Sequence, residues 1–125
     1  MITVDKLNRI PIYEQLIDSI KKEIINGFLA GEDMIPSVRA LSIELSVNPN
    51  TIQKAYNELE RAGITRSVPG VGRYVSNEAV SIIKREMEND ESQLRGIVIN
   101  LKLAGKTEEE ILKKVKIFYG GEEND

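Results

Sequence analysis

The stretch Asn48-Pro-Asn-Thr-Ile-Gln-Lys-Ala-Tyr-Asn-Glu-Leu-Glu-Arg-Ala-Gly63 decides the fold, because it marks both ends of a short helix and divides its surface in two. Asn48 is a favoured N-cap, Pro49 suits the first helical position where no N–H is needed, and Gly63 supplies a left-handed stop. At about 100° per residue, Ile52, Ala55, Tyr56 and Leu59 form an apolar stripe. Asn50, Gln53, Lys54, Asn57 and Arg61 fall opposite. Asn and Gln side chains can bridge adenine edges with two hydrogen bonds, and Lys reaches guanine or phosphate, so the polar face has the chemistry of a reading head for double-stranded DNA.

Upstream, Ser37 caps a second helix through Leu45, with Val38, Leu41 and Leu45 on its apolar side and Arg39 pointing away. Only Ser46 and Val47 separate the two helices, and so tight a turn predicts a helix-turn-helix in which the second helix enters the major groove. A first amphipathic helix over residues 11–26 carries Ile12, Leu16, Ile20 and Ile24 every fourth residue, joined by Tyr13 and Ile17. The segment 28–36, with Gly31 and Pro36 and no periodicity, reads as a packed loop. Downstream, strand-like residues 64–68 and 73–75 flank Pro69-Gly70, a pair suited to the centre of a type II turn. They predict a small β-hairpin, or wing. Gly70 and Gly72 would let the backbone approach DNA, and Arg66 and Arg73 would supply charge.

The remainder, residues 77–125, is helical. Residues 79–103 carry Ile82, Ile83, Met87, Leu94, Ile97, Val98 and Leu101, but Asn89-Asp90 and Gly96 leave open whether they make one bent helix or two. Thr107-Glu-Glu-Glu110 predicts a capping box at the start of a last helix with Ile111, Leu112, Val115 and Phe118 on one stripe. Lys113, Lys114 and Lys116 are an exposed face near its C-terminal end. Gly120 to Asp125 reads as a mobile acidic tail. The 49 residues after residue 76 provide little core of their own, so their apolar side chains need a partner surface: the first helix, or a second copy of the chain.

Composition narrows the function. The 125 residues allow one ordinary domain, or one small domain with a short appendage, and 41% hydrophobic content supports a packed core. Zero Cys and zero His remove disulfides, thiolate chemistry, imidazole base catalysis and the commonest transition-metal ligands. No metal, cofactor or enzymatic constellation is legible. The chain shows neither a signal peptide nor an 18-residue apolar run, which places it in the cytoplasm, away from membranes. The net charge of −3 is unusual for a nucleic-acid binder. Residues 1–76, however, carry nine Lys/Arg and nine Asp/Glu, and the excess acid lies in residues 77–125. Arg39, Lys54, Arg61, Arg66 and Arg73 all come from the binding region, and local charge matters more than the total.

Pro-Ile-Tyr-Glu-Gln (11–15), Ile-Pro-Ser-Val-Arg-Ala-Leu (35–41), Asn-Pro-Asn-Thr-Ile-Gln-Lys-Ala-Tyr (48–56) and Gly-Val-Gly-Arg-Tyr-Val (70–75) together resemble the GntR family of bacterial transcription regulators, and the Asn-Pro-Asn-Thr form resembles its YtrA-like subfamily. The resemblance implies a mainly α protein with a winged helix-turn-helix over residues 1–76 and a short helical dimerisation segment over 77–125. It implies a homodimer on operator DNA with two-fold related half-sites, often repressing its own operon together with genes for an ABC transporter. Family DNA contacts fall on Ser37, Arg39, Asn48, Asn50, Thr51, Gln53 and Lys54 and on the wing around Gly70 and Gly72. Dimer contacts are expected from Ile82, Ile83, Met87, Leu94, Ile97, Val98 and Leu101. Where family wings commonly place basic residues beside the tip glycine, this chain has Val68, Pro69 and Val71. The alternative function is a winged-helix protein-interaction module that binds no DNA. No large effector domain fits; an effector, whose identity the sequence does not name, would act in the dimer interface by favouring one dimer geometry.

Overall fold

The computed structural model describes residues 1–120. The chain runs α1 (Ile12–Ile25), β1 (Met34–Ile35), α2 (Val38–Leu45), α3 (Pro49–Arg61), β2 (Thr65–Val68), β3 (Gly72–Val75), α4 (Ala79–Leu103) and α5 (Glu108–Tyr119). It divides into two compact units, Met1–Arg85 and Glu86–Asp125.

In the first unit α1 turns Leu16, Ile20 and Ile24 inward, and α3 turns in Ile52, Ala55, Tyr56 and Leu59. Leu41 of α2, Val47 from the turn, Ile35 and Val75 from the sheet, and Ile64 just ahead of β2 complete the centre. The N-caps do what their residue types predict: Ser37 Oγ accepts from Ala40 N at 3.0 Å and Asn48 Oδ1 from Asn50 N at 2.8 Å. Between α2 and α3, Ser46 adopts a left-handed conformation (φ 54°) and Val47 is buried, so the chain reverses within two residues.

The three strands form an antiparallel sheet in the order β1-β3-β2. The hairpin turn has Val71 N donating to Val68 O at 3.0 Å, with Pro69 and Gly70 central and Gly70 at φ +76°, as a type II turn requires. The segment expected as a plain packed loop instead contributes β1, where Met34 pairs with Tyr74 and Ile35 with Arg73. So short a strand has no periodicity; it exists because β3 offers it an edge.

Tyr56 ties the sheet, α2 and α3 together. Its ring is fully buried and its hydroxyl donates to Pro36 O at 2.7 Å. Burial pushes the phenol up to about 12, with Arg73 pulling the other way and Glu44 adding to the rise. Between pH about 10, where an unfolded Tyr ionises, and about 12, the native state keeps a proton that the unfolded state releases. The stabilisation is therefore complete below pH about 10 and is lost as pH rises through the folded value. Tyr56→Phe is expected to cost about 1–2 kcal/mol near neutrality through the lost hydrogen bond, and to flatten the alkaline fall. Denaturant midpoints of both proteins measured from pH 7 to 12 check this.

Residues 79–103 form one helix, and its first two turns belong to the first unit, where Ala79 and Ile83 are buried and Ile82 packs against the core. The first compact unit thus runs on through Arg85. Gly63 leaves room for Ile82: a Cβ at Gly63 would lie 3.3 Å from Ile82 Cδ1. In the second unit, Thr107 and Glu110 form the predicted reciprocal capping box at the start of α5. Thr107's backbone and side-chain hydrogen bonds hold the Glu110 carboxyl below its usual value. Beyond Gly120 the expected acidic tail lies outside the described residues.

Candidate nucleic-acid interface

The turn between α2 and α3 exposes the first turn of each helix while the stripes behind them are buried. Arg39 stands in the first turn of α2, exposed, and no ion pair or hydrogen bond engages its side chain among the described residues. Asn50 is exposed and Thr51 and Gln53 half-buried on α3, where Gln53 Nε2 donates to Asn57 Oδ1 at 2.8 Å. These amide, hydroxyl and guanidinium groups are the set that reads base edges and phosphates in a major groove. Ser37 and Asn48 sit at the same surface as caps, each with one oxygen committed to its own helix. They fix where the helices begin, and their remaining polar capacity faces outward.

Ion pairing sorts the five cations of this region. Arg61 pairs with Glu58 at 2.6 Å, Arg66 with Glu32 at 2.7 Å and Arg73 with Glu60 at 3.5 Å. Arg39 and Lys54 have no ion pair among the described residues. Lys54 Nζ instead lies 3.7 Å from the centroid of the Tyr13 ring on α1, a cation–π contact. Sequence reasoning treated Tyr13 as an apolar member of α1 and missed this role; an aromatic at the start of the first helix is the only signal, and its partner is far along the chain.

The wing is weaker in charge than its residue types suggested. Arg66 is half-exposed, with Glu32 on one side and the Tyr74 ring 5.7 Å away. That exposed pair is worth at most about 1 kcal/mol, so a phosphate can displace the glutamate. Arg73 is turned inward, 5.3 Å from the Tyr56 ring, with its side chain only 20% exposed. The structure thus uses Arg73 to brace β3 against α3, and does not bring it to the wing tip with Arg66. At the tip Gly70 is exposed with open space around it, while Gly72 (φ +152°) packs beside the Met34 side chain. Glu32 also accepts from Asn77 Nδ2 at 3.1 Å and so links the wing to the segment before α4.

The side chains expected at a dimer interface divide into two groups. Ile83 is buried in the core of the first unit and Ile82 is half-buried against it, because α4 enters that core for its first two turns. Met87, Leu94, Ile97 and Val98 are exposed and Leu101 half-buried. In the second unit Leu94, Ile97, Val98 and Leu101 of α4 and Ile111, Val115 and Phe118 of α5 line one apolar groove. None of the large side chains of α5 is buried.

Among the described residues no helix is long and apolar enough to cross a membrane, and no group of His, Cys, Asp or Glu side chains could hold a metal. Residues 12–75 match the family described as bacterial regulatory proteins, gntR family. Over 130 aligned residues, covering 100% of both chains, the protein is 36% identical to the HTH-type transcriptional repressor YtrA of Bacillus subtilis (strain 168). It superposes on a GntR family transcriptional regulator from Listeria monocytogenes with a TM-score of 0.64 and 34% identity, over 90% of this chain and 97% of that one. It also matches AraR(DBD) solved in complex with operator ORX1, with a TM-score of 0.52 and 29% identity over 58% of this chain and 87% of that one. The chain therefore belongs to the gntR family of bacterial regulatory proteins, in its YtrA-like branch, and is a DNA-binding transcription regulator.

Proposed function

We propose that the protein is a homodimeric repressor of its own operon, one that extends to genes for an ABC transporter. Each α3 enters the major groove of one of two symmetry-related half-sites, and the bound dimer occludes the promoter. The observation that carries this reading is the exposed pair of helix starts, α2 with Arg39 and α3 with Asn50 and Thr51, whose outward groups are unspent while Arg61, Arg66 and Arg73 are matched with glutamates and Lys54 lies over the Tyr13 ring. In this reading Arg39, Asn50, Thr51 and Gln53 face bases, while Ser37, Asn48, Lys54 and the wing backbone at Gly70 and Gly72 fix the register on phosphates. Arg66 joins them by exchanging Glu32 for a phosphate, and Arg73 holds the wing in place. The named repressor YtrA, similar over its whole length, supports repression as the outcome.

The groove between α4 and α5 supports the dimer, since a second copy would cover Leu94, Ile97, Val98 and Leu101. A small-molecule effector, if the protein takes one, acts by preferring one dimer geometry. Hydroxyl-radical footprinting on DNA from upstream of the protein's own gene tests the reading. Two protected half-sites centred about one helical turn apart are expected. A single protected patch, or none alongside a stable complex with another protein, would refute it and favour a protein-interaction module.

A further inference from the structure

The eleven residues ahead of α1 show no helical or strand periodicity; Met1, Thr3 and Lys6 each make a hydrogen bond to the rest of the first unit, and one glutamine of α1 makes three more. Asp5 N donates to Gln15 Oε1 at 2.7 Å, and Gln15 Nε2 donates to Asp5 O at 3.0 Å and to Ile10 O at 2.7 Å. Both ends of the loop over residues 6–9 are thus pinned to α1. Inside it, Asp5 Oδ1 accepts from Leu7 N at 3.0 Å and Asn8 Oδ1 from Ile10 N at 2.9 Å, so the loop carries its own turn bonds. Ile2 and Val4 pack against the core ahead of it. What the loop presents is unusual for so well-fastened a segment: Leu7 is 96% exposed and lies between Lys6 and Arg9.

Its position is informative. Lys6 Nζ donates to Ser46 O at 2.8 Å, and Ser46 is the left-handed residue of the turn between α2 and α3, two positions before the N-cap of the helix assigned to the groove. Past the other end of the loop stands Tyr13, with Lys54 of α3 over its ring. The loop is therefore flanked by the start of α3 on one side and by its middle on the other, and it lies along the edge of the reading head. An ammonium has three donor hydrogens, so Lys6 can keep its bond to Ser46 and still give two to an anionic oxygen.

We propose that residues 6–9 form a further DNA-binding element beside the helix starts and the wing, a clamp in which Lys6, positioned by its bond to the Ser46 carbonyl, takes a backbone phosphate beside the half-site read by α3. This rests on the operator-binding reading above. A phosphate clamp contributes affinity without base preference, and it releases counterions.

The test uses the full chain and a duplex selected by the wild-type protein from a random-sequence pool, with a scrambled duplex of the same composition, titrated from 50 to 200 mM salt. Lys6→Ala is expected to weaken binding to both duplexes by the same factor. The slope of log affinity against log salt should fall by about 0.9 for each phosphate that Lys6 neutralises in the wild type, so the deficit should shrink about 3.5-fold per phosphate across that range. Lys6→Arg should retain the wild-type slope, and the thermal midpoints of the three proteins should agree. A wild-type slope in Lys6→Ala, with sequence preference intact, would overturn the clamp and leave the operator reading standing. So would a deficit confined to the selected duplex at unchanged slope. A wild-type protein that selects no sequence would overturn both.

Discussion

Arg39→Ala is expected to weaken binding to the selected operator by about 1–3 kcal/mol per half-site, or roughly 5- to 150-fold, and to relax the preferred base at one position of each half-site. The expectation follows from what the side chain does in the free protein. Arg39 is exposed and engaged by no hydrogen bond or ion pair among the described residues, so its removal costs the fold almost nothing. Any drop in operator affinity then reports what the guanidinium does on DNA. Arg66→Ala gives the contrast: that guanidinium already holds Glu32, so it gains from phosphate only the difference between two partners. Its effect should be smaller and independent of sequence. Competition titrations against single-base variants of the operator separate the two behaviours. A uniform weakening across all variants for Arg39→Ala would reassign it from base to phosphate.

Ile97→Asp should have the largest effect of any substitution outside the reading head. Ile97 is 55% exposed in the single chain and lines the groove between α4 and α5. A second copy seated there would bury the new carboxylate without a partner, which costs several kcal/mol, whereas the isolated chain leaves it in water. The protein should run as a monomer at concentrations where the proposed function expects the wild type to run as a dimer. Operator affinity should drop by about 10²- to 10⁴-fold, because the second half-site is no longer delivered at high effective concentration. The first unit should melt as before, since its core draws on α4 only as far as Ile83. Light scattering and thermal melting check both statements; a persistent dimer would place the interface elsewhere.

How far the sequence was legible follows from where the information sits. The limits of α3 and α5 are written in adjacent residues, Asn48-Pro49 with Gly63 and Thr107 with Glu110, and both helices begin where those caps predict. The wing turn is equally local, since Pro69-Gly70 supplies both dihedral preferences that a type II turn needs. Features that depend on distant partners were not legible. β1 is two residues long and exists only through its pairing with Tyr74 and Arg73. Helical periodicity put Ile82 and Ile83 on an apolar stripe but could not say which surface would cover it; the answer was the core of the first unit. Charge was the hardest to read. Arg66 and Arg73 look alike in sequence, yet one meets Glu32, 34 residues away, at the surface, and the other lies inward near Glu60 and Tyr56. Gln15 looks like an ordinary polar residue of α1 until its three bonds to the leading segment are seen.

The central claim is that the starts of α2 and α3 read DNA sequence. It is tested most directly by a fluorescence-anisotropy titration of the protein against DNA from immediately upstream of its own gene and against a scrambled duplex of equal length, at two salt concentrations. Tight binding that prefers the upstream duplex and weakens steeply with salt is the predicted result. Equal, weak binding to both duplexes at both salt concentrations would contradict it.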